Sequence, residues 1–107
     1  MMPKARATKA VGKTKTVPYD VAEQLRTPEE MAAYLDAWLE EAPEDAAGIA
    51  RALGDIARAR GMSQVARDAG LSRESLYKAL SENGNPSFAT VLKVARALGV
   101  RLHALAA

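Results

Sequence analysis

The sequence predicts an all-α chain of short helices, and three observations carry that reading. Of 107 residues, 49% are hydrophobic, many of them alanine, while Phe, Trp and Tyr together make 5%. A core of alanine and leucine, poor in aromatic and β-branched residues, suits closely packed helices rather than pleated strands. Apolar residues also recur at helical spacing, in segments that open at Ser, Thr or Pro and close at glycine. Finally, residues 63–80 (SQVARDAGLSRESLYKAL) read as two short helices around one sharp turn.

Residues 1–16 lack hydrophobic periodicity and carry Lys4, Arg6, Lys9, Lys13 and Lys15 without an acid. They are expected to form a disordered basic tail, either a mobile appendage or an arm that adds phosphate contacts. Residues 17–43 read as an N-terminal extension. Tyr19 and Val21 are expected to anchor it, and Asp20 to cap one turn through Leu25. Thr27-Pro28-Glu29-Glu30 is a helix start: Thr27 caps, Pro28 fills the first position, and Glu30 reaches back to the Thr27 amide. The helix runs to about Glu41. Met31, Tyr34, Leu35, Trp38 and Leu39 form its apolar stripe, and Glu29, Asp36, Glu40 and Glu41 its acidic face. Trp38 reads as a core residue, or alternatively as an anchor for a partner.

Residues 44–107 are expected to form the second unit. Pro43 opens a helix with Glu44 and Asp45 in its first turn, ending near Arg60 at Gly61. Ile49, Leu53, Ile56 and Ala57 supply its apolar face. In the next pair, Ser63 and Ser72 are the expected caps and Gly70 makes the turn. Val65, Ala66, Ala69, Leu71, Leu76, Ala79 and Leu80 form the apolar side, leaving Arg73, Glu74, Ser75, Tyr77 and Lys78 outside. That pattern is a helix-turn-helix, whose second helix offers a polar face of the kind that enters a DNA major groove. Residues 81–86 are turn chemistry, with Asn83 read as shaping the loop. Ser87 then caps a last helix, Phe88 to Leu98, with Phe88, Val91, Leu92, Val94, Ala95 and Leu98 inward. Residues 100–104 alternate apolar and polar. They read as a short strand seeking a partner across a dimer axis or in residues 17–21, or else as a frayed apolar tail.

Val65-Ala66, Gly70-Leu71-Ser72-Arg73, Leu76-Tyr77 and Asn85-Pro86-Ser87, with the helix through Ala97-Leu98-Gly99, resemble the λ-repressor-like (Cro/C1, Xre) DNA-binding fold. Ala66, Gly70 and Leu76 meet its motif rule of alanine, glycine four residues on and an aliphatic six later. The resemblance implies about five helices, with an extra N-terminal helix and a candidate C-terminal strand here. Three further blocks are similar to addiction-module antidote proteins, HigA-like antitoxins of the Xre type. They are YD-x-AE-x-L, ALGDIARARGMSQVARDAGLSRESLYKALS and NPSF-x-T-x-L-K-V-A-R-A-LG. This second resemblance implies a homodimer that neutralises a RelE/ParE-like toxin of the HigB kind and represses their shared operon. One departure is that Ser63-Gln64 is followed directly by Val65-Ala66, two residues sooner than in many Xre domains. The family's glutamine–phosphate contact therefore does not transfer directly to Gln64.

The net charge of +2 hides a segregation: residues 1–16 carry +5, residues 17–60 carry −6 and residues 61–107 carry +3. The acidic middle is ill suited to phosphates and the basic C-terminal part is suited to them. Operator-DNA candidates are Ser63, Gln64, Ser72, Arg73, Glu74, Ser75, Tyr77, Lys78, Asn85 and Ser87. Arg73 fits bidentate reading of guanine and Lys78 fits a phosphate, while Glu74 fits either cytosine N4 or an ion pair with Lys78. Asn85, Ser87 and the first amides of the last helix could hold a second phosphate. Glu29, Asp36 and Glu40 are the toxin-binding candidates, because the expected toxin is basic. There is no cysteine, and His103 is the one histidine. No spacing suggests a metal site, a cofactor or a nucleophile with its base, so no enzyme is expected. The N-terminus lacks the apolar core of a secretory signal and no apolar run matches a membrane span, so a cytoplasmic protein is expected. Two alternatives stay open: a stand-alone prophage-type repressor, and an interaction module that has lost DNA binding.

Overall fold

The computed structural model describes residues 24–81 and 83–107. The expectations for the basic tail, Tyr19, Val21 and the Asp20 turn lie outside the described residues. Five helices form: α1 (Pro28–Glu41), α2 (Ala46–Arg60), α3 (Met62–Ala69), α4 (Arg73–Ala79) and α5 (Phe88–Leu98). Among the described residues there is no strand, and no helix is long and apolar enough to cross a membrane.

Local chemistry sets the helix ends. In α1 the capping box forms as the sequence implied. The Glu30 amide donates to Thr27 Oγ1 at 3.1 Å, and the Thr27 amide to Glu30 Oε1 at 3.0 Å. α2 departs from expectation. Pro43 and Glu44 lie in a turn, and Asp45 is the cap, accepting from the Gly48 amide at 2.8 Å. A carboxylate free to reach that amide fixes the first helical residue at Ala46, three residues later than Pro43 alone suggests. α3 departs too, because Ser63 caps nothing. Gly61, at φ +113, both ends α2 and precedes Met62, the first residue of α3. Only glycine accommodates that reversal cheaply, and it brings the buried Met62 into the core at once.

One core joins every helix. Leu53, Ile56, Val65, Leu76, Val94 and Leu98 are its largest fully buried side chains. Leu25, Met31 and Leu35 belong to the same cluster, so the acidic helix shares its core with the other four. Each such burial contributes about 1.5–3 kcal/mol. The inward set is narrower than the apolar pattern suggested. Phe88 is 71% exposed, Leu92 43% and Leu39 41%. An amphipathic helix turns only one stripe inward. On α5 that stripe is Val94, Ala95 and Leu98 with the half-buried Val91, which leaves Phe88 and Leu92 on the edge beside it.

Residues 100–104 form no strand among the described residues, and the pairing considered with residues 17–21 lies outside them. Val100 is buried and Leu102 half-buried, with Arg101 and His103 exposed between them, so the alternation survives as burial. Among the described residues, no backbone of another segment forms a ladder with it, and a strand exists only as one member of a pair.

Polar contacts fasten α1 to α2. Tyr34 Oη donates to Asp55 Oδ2 at 2.8 Å, and Asp55 also pairs with Arg58. Half-buried Trp38 lies over Gly48, where a Cβ would collide with its ring, and the Arg51 guanidinium sits 5.8 Å from the ring centroid. Burial, with the Asp55 charge second, raises the Tyr34 pKa well above its ordinary 10.0. The folded state therefore retains the phenolic proton that the unfolded state releases. The Tyr34 contribution is fully present below pH 10 and declines above it. Tyr34→Phe is accordingly expected to cost about 1 kcal/mol at neutral pH, a gap that narrows above about pH 10 in denaturant melts of the two proteins.

Candidate nucleic-acid interface

The corner between α3 and α4 is built by three consecutive residues. Gly70 takes the left-handed conformation, φ +73 and ψ +31, and closes α3. The following amide, Leu71, donates to the Ala66 carbonyl at 2.8 Å, so the chain reverses without losing its hydrogen bonds. Ser72 then caps α4, accepting from the Ser75 amide at 3.0 Å and donating to Ser75 Oγ at 2.8 Å. The helix that follows has only seven residues. Isolated helices that short do not persist in water. Leu76, with no exposed surface, fastens α4 to the core, and Leu80 at 3% exposure secures its end.

That anchoring decides what faces outward. Arg73, Glu74, Ser75, Tyr77 and Lys78 are all exposed. Arg73 lies across the neighbouring tyrosine: its Cζ is 5.3 Å from the Tyr77 ring centroid and Nη2 donates to Tyr77 Oη at 3.3 Å. The one ion pair among the described residues is Asp55–Arg58, so Glu74 and Lys78 do not pair with each other. Both keep their charges available for a partner.

The other candidates are arranged less simply. Ser63 is exposed in the first turn of α3. Gln64 is engaged within α3, its Nε2 donating to Asp68 at 3.0 and 3.1 Å while its Oε1 accepts from Arg67 at 3.0 Å. Ser87 caps α5, accepting from the Thr90 amide at 3.1 Å. Asn85 is exposed in the preceding loop. Gly84 packs directly on the backbone carbonyls of Lys78 and Ala79, so this loop lies at the C-terminal end of α4, away from Arg73. One helix thus carries Ser72, Arg73, Glu74, Ser75, Tyr77 and Lys78, whereas Asn85 and Ser87 belong to a separate anchor point. On the acidic helix, Glu29, Asp36 and Glu40 are exposed and form no ion pair among the described residues.

Sequence reasoning missed Arg67, exposed on α3 and held by Gln64. Its signal was present as the i, i+3 spacing from Gln64. Arg67 on α3, Arg73 at the start of α4 and Lys78 in its last turn are exposed cations, and the Ser72–Ser75 pair adds two hydroxyls. Among the described residues, no group of three His, Asp or Glu side chains could hold a metal ion.

The cap makes a stability prediction. Ser72→Ala should lower the unfolding free energy by about 1 kcal/mol, seen as a lower thermal midpoint. Leu76→Ala should cost about 2–5 kcal/mol.

A family model described as "Probable addiction module antidote protein" matches residues 15–106. A protein of Haemophilus influenzae, described only as uncharacterized, is 59% identical over 85 residues, covering 79% of this chain and 86% of its own. No solved structure matches the chain.

Proposed function

The chain belongs to the addiction-module antidote family, and from that premise we propose that it is the antitoxin of a type II module with two binding tasks. It represses its own operon through α3 and α4, acting as a helix-turn-helix of the λ-repressor-like, Xre and HigA kind. It also neutralises a basic RelE/ParE-like toxin through the acidic face of α1. It works as a cytoplasmic homodimer and performs no catalysis.

The exposed row of Arg73, Glu74, Ser75 and Lys78 on a capped helix, held from behind by Leu76, is the observation that carries the DNA reading. A recognition helix needs polar side chains at its N-terminal end and a rigid mount. In this reading Arg73 takes guanine O6 and N7 in bidentate fashion. Glu74, with no ion pair to Lys78, is left to accept from cytosine N4. Lys78, Arg67 and Ser63 serve phosphates, and Asn85 and Ser87 hold a second phosphate from the loop before α5. Gln64, already bonded to Asp68 and Arg67, helps to orient Arg67. The exposed Glu29, Asp36 and Glu40, without an ion pair among the described residues, support the toxin reading, because an acidic face attracts a basic partner. Exposed Phe88 and Leu92 give a second copy an apolar surface to cover, which supports the dimer.

A gel shift on the chain's own promoter tests the first task. Arg73→Ala should weaken specific binding by about 1–3 kcal/mol, and wild-type affinity should fall steeply as salt rises. Unchanged binding by Arg73→Ala would remove Arg73 as a base reader. Co-purification with the product of the adjacent reading frame tests the second. Reversing charge at Glu29, Asp36 and Glu40 together should release that partner while leaving promoter binding intact. A complex indifferent to the triple reversal would move the toxin site elsewhere. Absence of any such partner would favour a stand-alone repressor.

A further inference from the structure

We propose that Tyr77 is a positioning residue that fixes the Arg73 guanidinium for a guanine and so sets base discrimination, without itself contacting DNA. This rests on the reading of α4 as the base-reading helix. An arginine in the first turn of a surface helix ordinarily samples many rotamers, and ordering it on DNA opposes binding. Here it is ordered beforehand. Arg73 and Tyr77 stand at i and i+4, one above the other on the helix surface. The guanidinium lies over the ring at 5.3 Å from its centroid, and one Nη2 proton is directed at the phenol oxygen at 3.3 Å. No acid competes for it: among the described residues Arg73 has no ion pair, and the adjacent Glu74 makes none either.

The arrangement leaves the reading groups free. A guanidinium has five N–H donors, and the tyrosine takes one. Two parallel donors for guanine O6 and N7 therefore remain, together with the planar geometry that makes them specific. The hydrogen bond is long and the stack is well placed, so the ring supplies most of the hold and the hydroxyl less. That ordering makes the two obvious substitutions behave differently. Phenylalanine preserves the ring, and leucine removes it while keeping bulk. Tyr77 is 44% exposed, so neither change empties the core.

The test titrates the full-length chain with duplexes of its own promoter, each guanine replaced in turn by 7-deazaguanine, which lacks the N7 acceptor. Wild type should lose affinity at the guanine read by Arg73, and Arg73→Ala should be indifferent to that replacement. Tyr77→Leu should lose roughly two- to fivefold of the wild-type discrimination there, while Tyr77→Phe keeps most of it. Thermal midpoints of the variants confirm that each is folded. Full discrimination by Tyr77→Leu would overturn the proposal. So would a uniform loss by Tyr77→Phe at every position, since that is the signature of a direct phosphate contact by the hydroxyl. Discrimination that persists in Arg73→Ala would overturn it while leaving DNA binding in place. Failure of the wild type to bind any duplex would instead remove the DNA reading itself.

Discussion

Leu76 is the residue on which the α4 surface depends. Seven residues cannot hold a helix by their own hydrogen bonds, because the cost of nucleation exceeds what one and a half turns return. α4 persists because Leu76 is wholly buried in the common core, with Leu80 behind it and the Ser72 cap in front. Once that one side chain is inside, helical geometry directs Arg73, Glu74, Ser75, Tyr77 and Lys78 outward with no further instruction. Gly70 matters for the same reason. Its left-handed backbone sets where α4 begins, and therefore which residues fall in the first turn.

The same economy explains how a small chain presents two opposed charge surfaces. Among the described residues the acids lie mainly on α1 and in the turn before α2, and the cations after residue 61 lie on α3, α4 and α5 and at Arg101. All of these helices share one core, so the two surfaces are fixed relative to each other by packing rather than by a linker. The Tyr34–Asp55–Arg58 bonds and the seat of Trp38 over Gly48 reinforce the joint between α1 and α2. In the proposed antitoxin, a partner on α1 and a duplex on α4 would therefore be held by one rigid body.

Much of this was legible beforehand, and the failures are instructive. The Thr27–Glu30 box, the Ser72 and Ser87 caps and the Gly70 turn were readable because each is a local bond between residues within a few positions. Pro43 misled because it is compatible with either a helix start or a turn, and the free carboxylate of Asp45 decided between them. Ser63 misled because Gly61 could end one helix and admit the next without a spacer. Phe88, Leu92 and Leu39 misled because apolar periodicity says which residues share a face and not how far the neighbouring helices reach.

The sequence alone determined the helical class, the order of its elements, the turn at Gly70 and the polar content of α4, since each follows from contacts a few residues apart. Only the tertiary structure decided that α1 shares a core with the rest, that Gln64 is engaged with Arg67 and Asp68, and that the Asn85 loop lies at the far end of α4. It also decided that Arg73 stacks on Tyr77 while Glu74 and Lys78 stay apart. Those outcomes depend on which rotamers remain once α2, α3 and α5 occupy their space, and on contacts between residues tens of positions apart, such as Tyr34 with Asp55. No local pattern encodes the shared core or the placement of the loop, whereas the Gln64–Arg67, Gln64–Asp68 and Arg73–Tyr77 contacts use i, i+3 and i, i+4 spacings that the sequence offers without choosing among them.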